Sequence, residues 1–392
     1  MRIVHTLLRY PPATGGVEDY THALVERLRA KGEDVRVETT NLKLHHPPAL
    51  LPAPLDDPPH VHRHPAQTFD AIGYPIPQGL REELTNLPMD ILHAHGFWYA
   101  PADIAARVAK QRGIPFVLNP YYTNTGNRRT VKWQLYRILY GRATVAAADA
   151  VVVISPFERE LLQQDRFLLP RIELIPPGID PKEFDIPAEN PYPGWGVASE
   201  QILLFAGRIA KSKGLDILLR ALPAIRREVP TVRLVIIGED FGFRSECAAL
   251  ASRLGVADAV SFPGRVSRQE LLGAYRHARV FVFPSRFEAF GIVLLEAGAS
   301  GCPVVATRGT AIPYVVRDNE TGLLCAPEDP DDLARKTLAV LKDETLGKRL
   351  GAAAQNRART EFTWEKSVEK LHALYRDLQH TASQRSPFYR IT

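Results

Sequence analysis

The sequence predicts an α/β protein built from two Rossmann-like domains in tandem. Short apolar runs of strand length alternate with amphipathic stretches of helix length along most of the 392 residues. Such alternation is typical of parallel sheets joined by right-handed crossovers. It occurs in two sets, which the Pro- and Gly-rich residues 189–196 separate. A chain of this length has room for two domains of ordinary size.

The first set predicts a helix at residues 17–31 and six strands, at residues 2–8, 35–40, 91–94, 115–118, 150–154 and 172–175. The Pro- and His-rich residues 42–79 interrupt this set. They predict a long surface excursion, in which His60, His62 and His64 lie on an exposed loop.

The second set predicts strands at residues 202–206, 232–237, 260–262, 280–283, 304–307 and 323–325. Its clearest helices cover residues 214–227 and 268–276. A last helix, N-capped by Thr363, would place one apolar side against the first domain, formed by Val368, Leu371, Leu374, Tyr375 and Leu378. We assign residues 1–178 to the first domain and 179–377 to the second, with about 378–392 packing back on the first.

Composition and charge narrow the functional classes. With 45% hydrophobic and 24% charged residues, the chain has a normal globular composition. The absence of a signal-peptide pattern and of a membrane-spanning apolar run predicts a cytoplasmic protein. Three scattered cysteines predict small core residues rather than a metal site. A net charge of +5 favours anionic ligands such as nucleotide diphosphates or acidic lipid headgroups, although free use of Arg explains it equally well. No nucleic-acid partner is expected.

Two carboxylates, Glu288 and Glu296, stand around a Phe-Gly step after the strand at residues 280–283. Ligands bind at the carboxyl ends of strands in doubly wound sheets, and the first amides of the next helix, at Phe290 and Gly291, attract anions. Carboxylates accept hydrogen bonds from hydroxyls, and backbone amides donate them to anionic oxygens. The two side by side would suit a phosphorylated sugar. The plainer alternative is a loop charge at Glu288 and a solvated Glu296, but an apolar helix around Glu296 calls for a partner.

Two further motifs lie at strand ends. Arg208 and Lys213 leave the first strand of the second domain, where cations could stabilise a departing diphosphate. A solvated basic loop is the alternative. Gly15 and Gly16 follow the first strand of the chain and could bring backbone close to a ligand or move as a loop. A plain tight turn explains them as well.

Other features have ordinary explanations. Alternation puts His93 and His95 on the same face of a strand, and without a nearby Cys or carboxylate we do not expect a metal there. Asp329 precedes a helix and is expected to cap it. The basic, aromatic residues 127–142 could rest on an anionic membrane. Packing of that helix on the first sheet, with its charges solvated, is the favoured alternative.

Taken in order, these motifs resemble the retaining glycosyltransferases of family 4, which have the GT-B fold with a cleft between its two domains. The resemblance covers nearly the whole chain. It depends on Gly15-Gly16, His93-Ala94-His95, Ser155, residues 175–180, Gly207-Arg208 with Lys213-Gly214, Gly264, and residues 288–291 through Glu296.

The resemblance implies a role for each residue of the set. Arg208 and Lys213 would bind the donor diphosphate, and Glu296 the ribose hydroxyls. The base would meet the backbone of Gly264, Arg265 and Val266. Glu288 would grip the donor sugar together with the amides of Ala289, Phe290, Gly291 and Ile292. His95 would reach the sugar from the opposite domain, and the Gly15-Gly16 loop would close over the phosphates. Catalysis would fall to Glu288, His95, Arg208 and Lys213, with no metal or other cofactor.

Two positions depart from the family pattern: Pro177 replaces an Asn of the hinge, and Tyr314 replaces a Glu. The implied reaction is transfer of a hexose, with retention of configuration, from a nucleotide diphosphate sugar to a saccharide or lipid-linked acceptor, in glycan, glycolipid or cell-envelope polysaccharide synthesis. Peripheral contact with an anionic membrane would suit a lipid-linked acceptor. Three alternatives stay open, namely a nucleotide-sugar epimerase, a glycoside hydrolase and a catalytically silent scaffold. The base, sugar, acceptor and linkage are not encoded in any readable motif.

Overall fold

The computed structural model describes residues 1–45, 48–52, 55–67, 74–123, 131–199 and 201–385. The chain divides into two compact units, one of Met1–Pro176 with Trp364–Thr392 and one of Pro177–Thr363. The sequence placed this boundary at residue 178, and expected the return to the first domain at about residue 378. In the structure the return begins at Trp364.

The first unit contains eleven strands among its described residues, seven of which form one parallel sheet. In chain order the strands are Arg2–Leu7 (β1), Asp34–Thr40 (β2), Leu42–His45 (β3), Pro48–Leu50 (β4), Val61–His64 (β5), Ala66–Gln67 (β6), Ile76–Pro77 (β7), Ile91–His95 (β8), Phe116–Asn119 (β9), Ala150–Val153 (β10) and Arg171–Leu174 (β11). The sheet order is β11-β10-β9-β8-β1-β2-β5, so the chain reverses direction across the sheet between β1 and β8.

Helices cover this sheet. They are Gly16–Ala30 (α1), Leu80–Asn86 (α2), Ala100–Arg112 (α3), Val131–Tyr136 (α4), Arg142–Ala146 (α5) and Pro156–Gln164 (α6). A π-helical segment, Arg137–Gly141, joins α4 to α5. The core between sheet and helices is continuous and apolar, from Leu92 and Phe116 in the strands to Val108 in α3.

The expected surface excursion at residues 42–79 is wrong in one respect. Val61–His64 is the edge strand of the main sheet and pairs in parallel with β2, from Val37 to Thr40. His64 is therefore held in place rather than free on a loop, since its Nε2 lies 2.6 Å from Glu38 Oε2. The remaining short strands form two small antiparallel pairs, β3 with β4 and β6 with β7.

The second unit is built on a six-stranded parallel sheet. Its strands are Ile202–Ala206 (β12), Arg233–Ile237 (β13), Val260–Gly264 (β14), Val280–Phe283 (β15), Val304–Thr307 (β16) and Leu323–Cys325 (β17). The order β14-β13-β12-β15-β16-β17 reverses between β12 and β15. Fully buried parallel strands appear in sequence as continuous apolar runs, and the predicted bounds of β12, β15, β16 and β17 match these residues.

The helices of this unit are Leu215–Glu228 (α7), Arg244–Arg253 (α8), Arg268–His277 (α9), Ile292–Ala299 (α10), Ile312–Val315 (α11), Pro330–Lys342 (α12) and Glu344–Glu361 (α13). Asp329 caps α12 as expected, by accepting from the amides of Asp331 and Asp332. Residues 189–196 do not separate the units. They lie inside the second one, where the Tyr192 hydroxyl donates to the carbonyl of Ala274 at 2.7 Å.

The last helix, Trp364–Arg385 (α14), belongs to the first unit along its described length. Its predicted apolar side is buried, with Val368, Leu371 and Tyr375 fully covered. The whole helix therefore returns to the first unit. The predicted α/β architecture of two Rossmann-like units is confirmed. None of the helices described here has the length and apolar character needed to cross a membrane.

Candidate active site

The reversal point of the second sheet brings together two predicted site residues that lie 75 positions apart in sequence. Lys213 follows β12 and Glu288 follows β15, and the lysine Nζ lies 2.5 Å from Glu288 Oε1. The Ser285 hydroxyl donates to the same oxygen at 2.9 Å. Glu288 Oε2 accepts no hydrogen bond from the described residues, so this oxygen is available to a ligand hydroxyl. Topological reversal points are where open α/β sheets bind ligands.

A glycine makes this arrangement possible. Gly214 has φ +69° and lies so close to β15 that an added Cβ would be 1.9 Å from the carbonyl oxygen of Pro284. The 3-10 turn Lys211–Lys213 can therefore approach the end of β15 only because residue 214 has no side chain. This approach places Lys213 beside Glu288.

A Gly214→Ala substitution is expected to destabilise the protein by about 3 kcal/mol or more, because it adds a backbone clash to a left-handed conformation. Gly255→Ala is the matched control. Gly255 has φ +68° but nothing within 4 Å of its Cβ position, so it isolates the conformational cost alone. Urea unfolding of both variants measures the difference, and equal stabilities would contradict the close approach.

Arg208 stands at the end of β12 and is exposed. Its guanidinium lies 5.3 Å from the centre of the Phe241 ring. Within the described residues it forms no salt bridge with a carboxylate. An unpaired guanidinium at the ligand edge of a parallel sheet has its donors free for an anion.

The loop after Glu288 leads into α10. Gly291 has φ +96° and precedes the helix with no side-chain cap, so the first amides, from Ile292 onwards, are not used by a capping side chain. Phe290 has a structural side chain, buried against the rings of Tyr314 and Phe362. Tyr314, where the family has Glu, thus serves the packing of this loop. Any ligand role of Ala289 and Phe290 falls to their backbone.

Glu296 has structural partners and is not a solvated helix residue. Its Oε1 accepts from Arg268 at 2.6 Å, and the Tyr275 hydroxyl lies 3.3 Å from its Oε2. Arg268 also makes a two-bond pair with Glu183, at 2.7 and 2.9 Å. Burial raises the pKa of Glu296, while Arg268 acts against that shift. Arg268, Tyr275 and Glu183 are residues that sequence reasoning missed.

The third predicted donor segment follows β14. Gly264 has φ +87° and open space around its Cβ position, so the backbone there is accessible. Arg265 is exposed and pairs with Glu239 at 3.3 Å, while Val266 is partly buried. The strands β14, β13, β12 and β15 are neighbours, so all the donor-set segments after β12, β14 and β15 open on one edge of one sheet.

In the first unit the reversal point holds a cluster of buried histidines. His95 Nε2 lies 2.8 Å from His5 Nδ1, and His95 Nδ1 lies 2.9 Å from the Tyr121 hydroxyl. His93 contacts the Asn119 side chain at 2.8 Å. Burial lowers the pKa of His5 to about 3 and those of His93 and His95 well below their usual value.

His5 was missed because it lies 90 residues from His95 in sequence, and only the parallel register of β1 with β8 sets it opposite His93. Nitrogens of His5, His93 and His95 lie within 4.8 Å of one another, a spacing that a metal ion could use. Hydrogen bonds already engage nitrogens of all three rings. Tyr121, also missed, has the unusual φ of +48°.

Gly15 and Gly16 lead into α1. An added Cβ on Gly15 would lie 2.3 Å from Glu18 Oε2. Glu18 is buried and pairs with Arg9 at 2.6 Å. The absence of a side chain at Gly15 thus leaves room for this ion pair under the loop. Closure of the loop over phosphates stays a prediction.

Two family models together match most of the chain. The model described as "Glycosyltransferase Family 4" matches residues 14–183, and that described as "Glycosyl transferases group 1" matches residues 196–357. A relative named D-inositol 3-phosphate glycosyltransferase, from Acidothermus cellulolyticus, is 32% identical over 93% of this chain and 86% of its own length. The chain belongs to glycosyltransferase family 4. It is an enzyme, a glycosyltransferase, as the sequence predicted.

A second sequence relative supports the same family, and solved structures support the fold. A relative of the same name from Thermobifida fusca is 30% identical over 96% of this chain and 92% of its own. The sucrose-phosphate synthase structure from Thermosynechococcus elongatus superposes with a TM-score of 0.77 at 23% identity, over 97% of this chain and 99% of that one. Anabaena Alr3699/HepE, solved with UDP and glucose, gives a TM-score of 0.77 at 17% identity, over 96% and 100%. This glycosyltransferase has the GT-B fold.

Proposed function

We propose that the enzyme transfers a hexose from a nucleotide diphosphate sugar to an acceptor hydroxyl with retention of anomeric configuration. The observation that carries the proposal is the meeting of Lys213 and Glu288 at the reversal point of the second sheet, 2.5 Å apart. Solved structures of the same fold hold UDP, glucose or UDP-glucose, and sequence relatives carry the name D-inositol 3-phosphate glycosyltransferase. Those ligands are theirs, and they support a nucleotide sugar as the donor class here.

The described contacts suggest how each group would act. An ammonium group has three N–H donors, so Lys213 can hold Glu288 and still donate to a diphosphate oxygen. Arg208, which forms no salt bridge among the described residues, would also donate hydrogen bonds to the diphosphate. Glu288 Oε2 would accept a sugar hydroxyl. Glu296, oriented by Arg268, would take the ribose hydroxyls, and the backbone of residues 264–266 the base.

Residues of the first unit would serve the sugar and the acceptor. We propose that His95, fixed by its bonds to His5 and Tyr121, donates to or accepts from the donor sugar. The Gly15-Gly16 segment would meet the phosphates and shape the place of a saccharide or lipid-linked acceptor.

Retention would follow from attack on the face that the diphosphate leaves. Glu288 is tied by Lys213 and Ser285, which suits a fixed acceptor of hydrogen bonds better than a nucleophile. The acceptor hydroxyl would form the new glycosidic bond as the sugar–phosphate bond breaks, and its proton would pass to the leaving phosphate. The protein's share is positioning and charge stabilisation. We propose that Arg208 and Lys213 supply that charge without a metal, so transfer should survive EDTA.

The test starts with thermal unfolding in the presence of UDP, GDP and ADP sugars, which identifies the donor through the rise in Tm. The donor that binds is then incubated with acceptors, and NMR determines the anomeric configuration of the product. We expect a product with the configuration of the donor. An inverted product would exclude retention. Conversion of the sugar without acceptor would indicate an epimerase, cleavage of glycosides would indicate a hydrolase, and no turnover would favour a silent scaffold.

A further inference from the structure

One helical stretch of the first unit leaves a row of apolar side chains in solvent. Ten large apolar side chains are exposed in the described part of the chain, and five of them lie between residues 131 and 140. The most exposed are Val131 at 81%, Leu135 at 55%, Ile138 at 60% and Leu139 at 56%. Their spacing of four, three and one puts them on one side of the α4 and π-helical segment. Single exposed apolar residues are normal, but a contiguous row indicates an interaction site.

The other side of the same stretch explains why the helix is folded. Trp133 and Tyr136 are buried, and the Tyr136 hydroxyl donates to Asp103 at 3.1 Å. The stretch thus has two apolar sides, of which only one is used by the core. The sequence favoured packing on the sheet with charges solvated. The structure shows packing on one side and a row of exposed apolar side chains on the other. Sequence analysis proposed residues 127–142 for membrane contact, and residues 127–130 of that range lie outside the described residues.

Unpaired cations border the apolar row. Arg107 and Lys110 of α3 and Arg142 of α5 are all exposed. The Arg107 guanidinium lies 5.3 Å from the centre of the Tyr140 ring, so the basic and apolar groups are in contact. In the part of the chain that the structure describes, none of the three cations forms a salt bridge.

The acidic groups nearby, Asp103, Asp149 and Asp377, are fewer than the cations, because Arg112 and Arg171 also line this region. Asp103 is buried and accepts hydrogen bonds from Thr144 and two tyrosines. Asp149 accepts from the amide of Phe116. Asp377 on α14 is exposed but paired with Arg171. The border of the apolar row therefore carries a net positive charge.

A groove continues the row towards α14. It has a volume of about 1100 Å³, and its lining includes Leu139, Tyr140 and Ala143 with Arg107, Lys110 and Arg171. Leu139 and Tyr140, which are exposed at one end of the row, thus form part of an apolar wall with cations along it. This combination matches a lipid, which has an anionic headgroup beside apolar chains.

We propose that this surface, formed by Leu135, Ile138 and Leu139 with Arg107, Lys110 and Arg142, binds an anionic membrane. The leucines and the isoleucine would enter the boundary between headgroups and acyl chains, and the cations would contact headgroup phosphates. An apolar face alone could also bind a protein partner. Binding of a protein would not require cations without salt bridges along the border, whereas binding of an anionic membrane uses them. The proposal goes beyond the glycosyl transfer proposed above, because the donor residues lie in the other unit and the surface includes none of them.

Flotation of the full-length protein with lipid vesicles tests the proposal. We expect binding to vesicles of phosphatidylcholine and phosphatidylglycerol in equal parts, weaker binding to phosphatidylcholine alone, and weaker binding in high salt. The triple variant L135S/I138S/L139S should lose about tenfold or more in partitioning, because each change removes inserted apolar area. Lys110→Glu and Arg142→Glu should each cost about fivefold or more.

A matched control uses three residues of similar exposure elsewhere, in the variant L50S/L168S/I186S, where the side chains are 58%, 82% and 56% exposed. It should bind as the native protein does. Native protein that does not bind the anionic vesicles at low salt would overturn the proposal. So would equal binding by the triple variant, or equal loss by the control. A native dimer that the triple variant dissociates, seen by light scattering, would assign the surface to a second copy instead. The rise in Tm with donor sugar should persist in every variant, which separates this test from that of the proposed function.

Discussion

A Lys213→Ala variant is expected to lose about a hundred- to a thousandfold in kcat/KM, with nucleotide sugar as donor. The ammonium group is the cation nearest to Glu288, at 2.5 Å, and would meet the diphosphate as its charge develops. Groups that are fixed in place where charge develops in the transition state typically contribute an effect of this size. The measurement is initial-rate kinetics with the donor identified by thermal unfolding.

Lys211→Ala is the matched control for this prediction. Lys211 lies in the same short turn but is exposed and points to no partner among the described side chains. It should transfer at nearly the native rate. The variant Lys213→Ala also leaves Glu288 without its cation, although Ser285 still donates to it, so the double variant K213A/E288Q is needed to separate the two contributions. Because the two groups act as a unit, the double variant should lose less than the product of the single losses. Full activity of Lys213→Ala with every donor that the native enzyme uses would refute the assignment.

Acid is expected to destabilise the first unit through its buried histidines. The pKa of His5 is about 3 in the folded protein, compared with 6.5 for an exposed histidine. The unfolded chain therefore takes up protons first as the pH falls. The stability that the neutral ring contributes is present above pH 6.5 and is lost below it. Between pH 7 and pH 5 His5 alone should cost about 2 kcal/mol, and His93 and His95 should add losses of the same sign.

The comparison must allow for groups that act in the opposite direction. Burial raises the pKa of Glu158 to about 7, so its protonation relieves a penalty as the pH falls. Urea unfolding of His5→Gln and of the native protein, each at pH 7 and pH 5, allows for this, because Glu158 contributes equally to the pH dependence of both. We expect a smaller loss between the two pH values than in the native protein. His62→Gln, at an exposed position of β5, should behave as the native protein does. An unchanged loss in His5→Gln would show that the buried cluster is not the cause.

Local pattern was enough for the second sheet. Val280–Phe283 is apolar throughout and Val304–Thr307 is apolar up to its last residue, because both faces of a parallel sheet are covered. Pro284 follows the first run, and Gly301 precedes the second. The edge strand Val61–His64 was missed because the prediction relied on continuous apolar runs, and this strand is not one. An edge strand need not be apolar, and its pairing with β2 depends on residues outside its own stretch.

A candidate donor site was also predicted from the sequence, because strand ends in a parallel α/β sheet share one edge. That rule predicted one shared edge for Arg208, Lys213, Glu288 and Glu296. Of these four, the structure brings Lys213 and Glu288 into direct contact. The rule did not identify which groups hold these residues. Arg268, which lies 28 positions before Glu296, donates to Glu296 and is itself paired with Glu183, and such separations in the chain carry no periodic signal.

The sequence by itself determined the fold class and the family and predicted the donor residues, since each depends on short apolar runs and on motifs at strand ends. Only the tertiary structure decided the partners of those residues, the histidine cluster of His5 with His95, and which side of residues 131–140 meets solvent. The physical reason is that a local pattern records whether a side chain is apolar or charged. What that side chain contacts depends on strand order, register and packing, which join residues far apart in the chain.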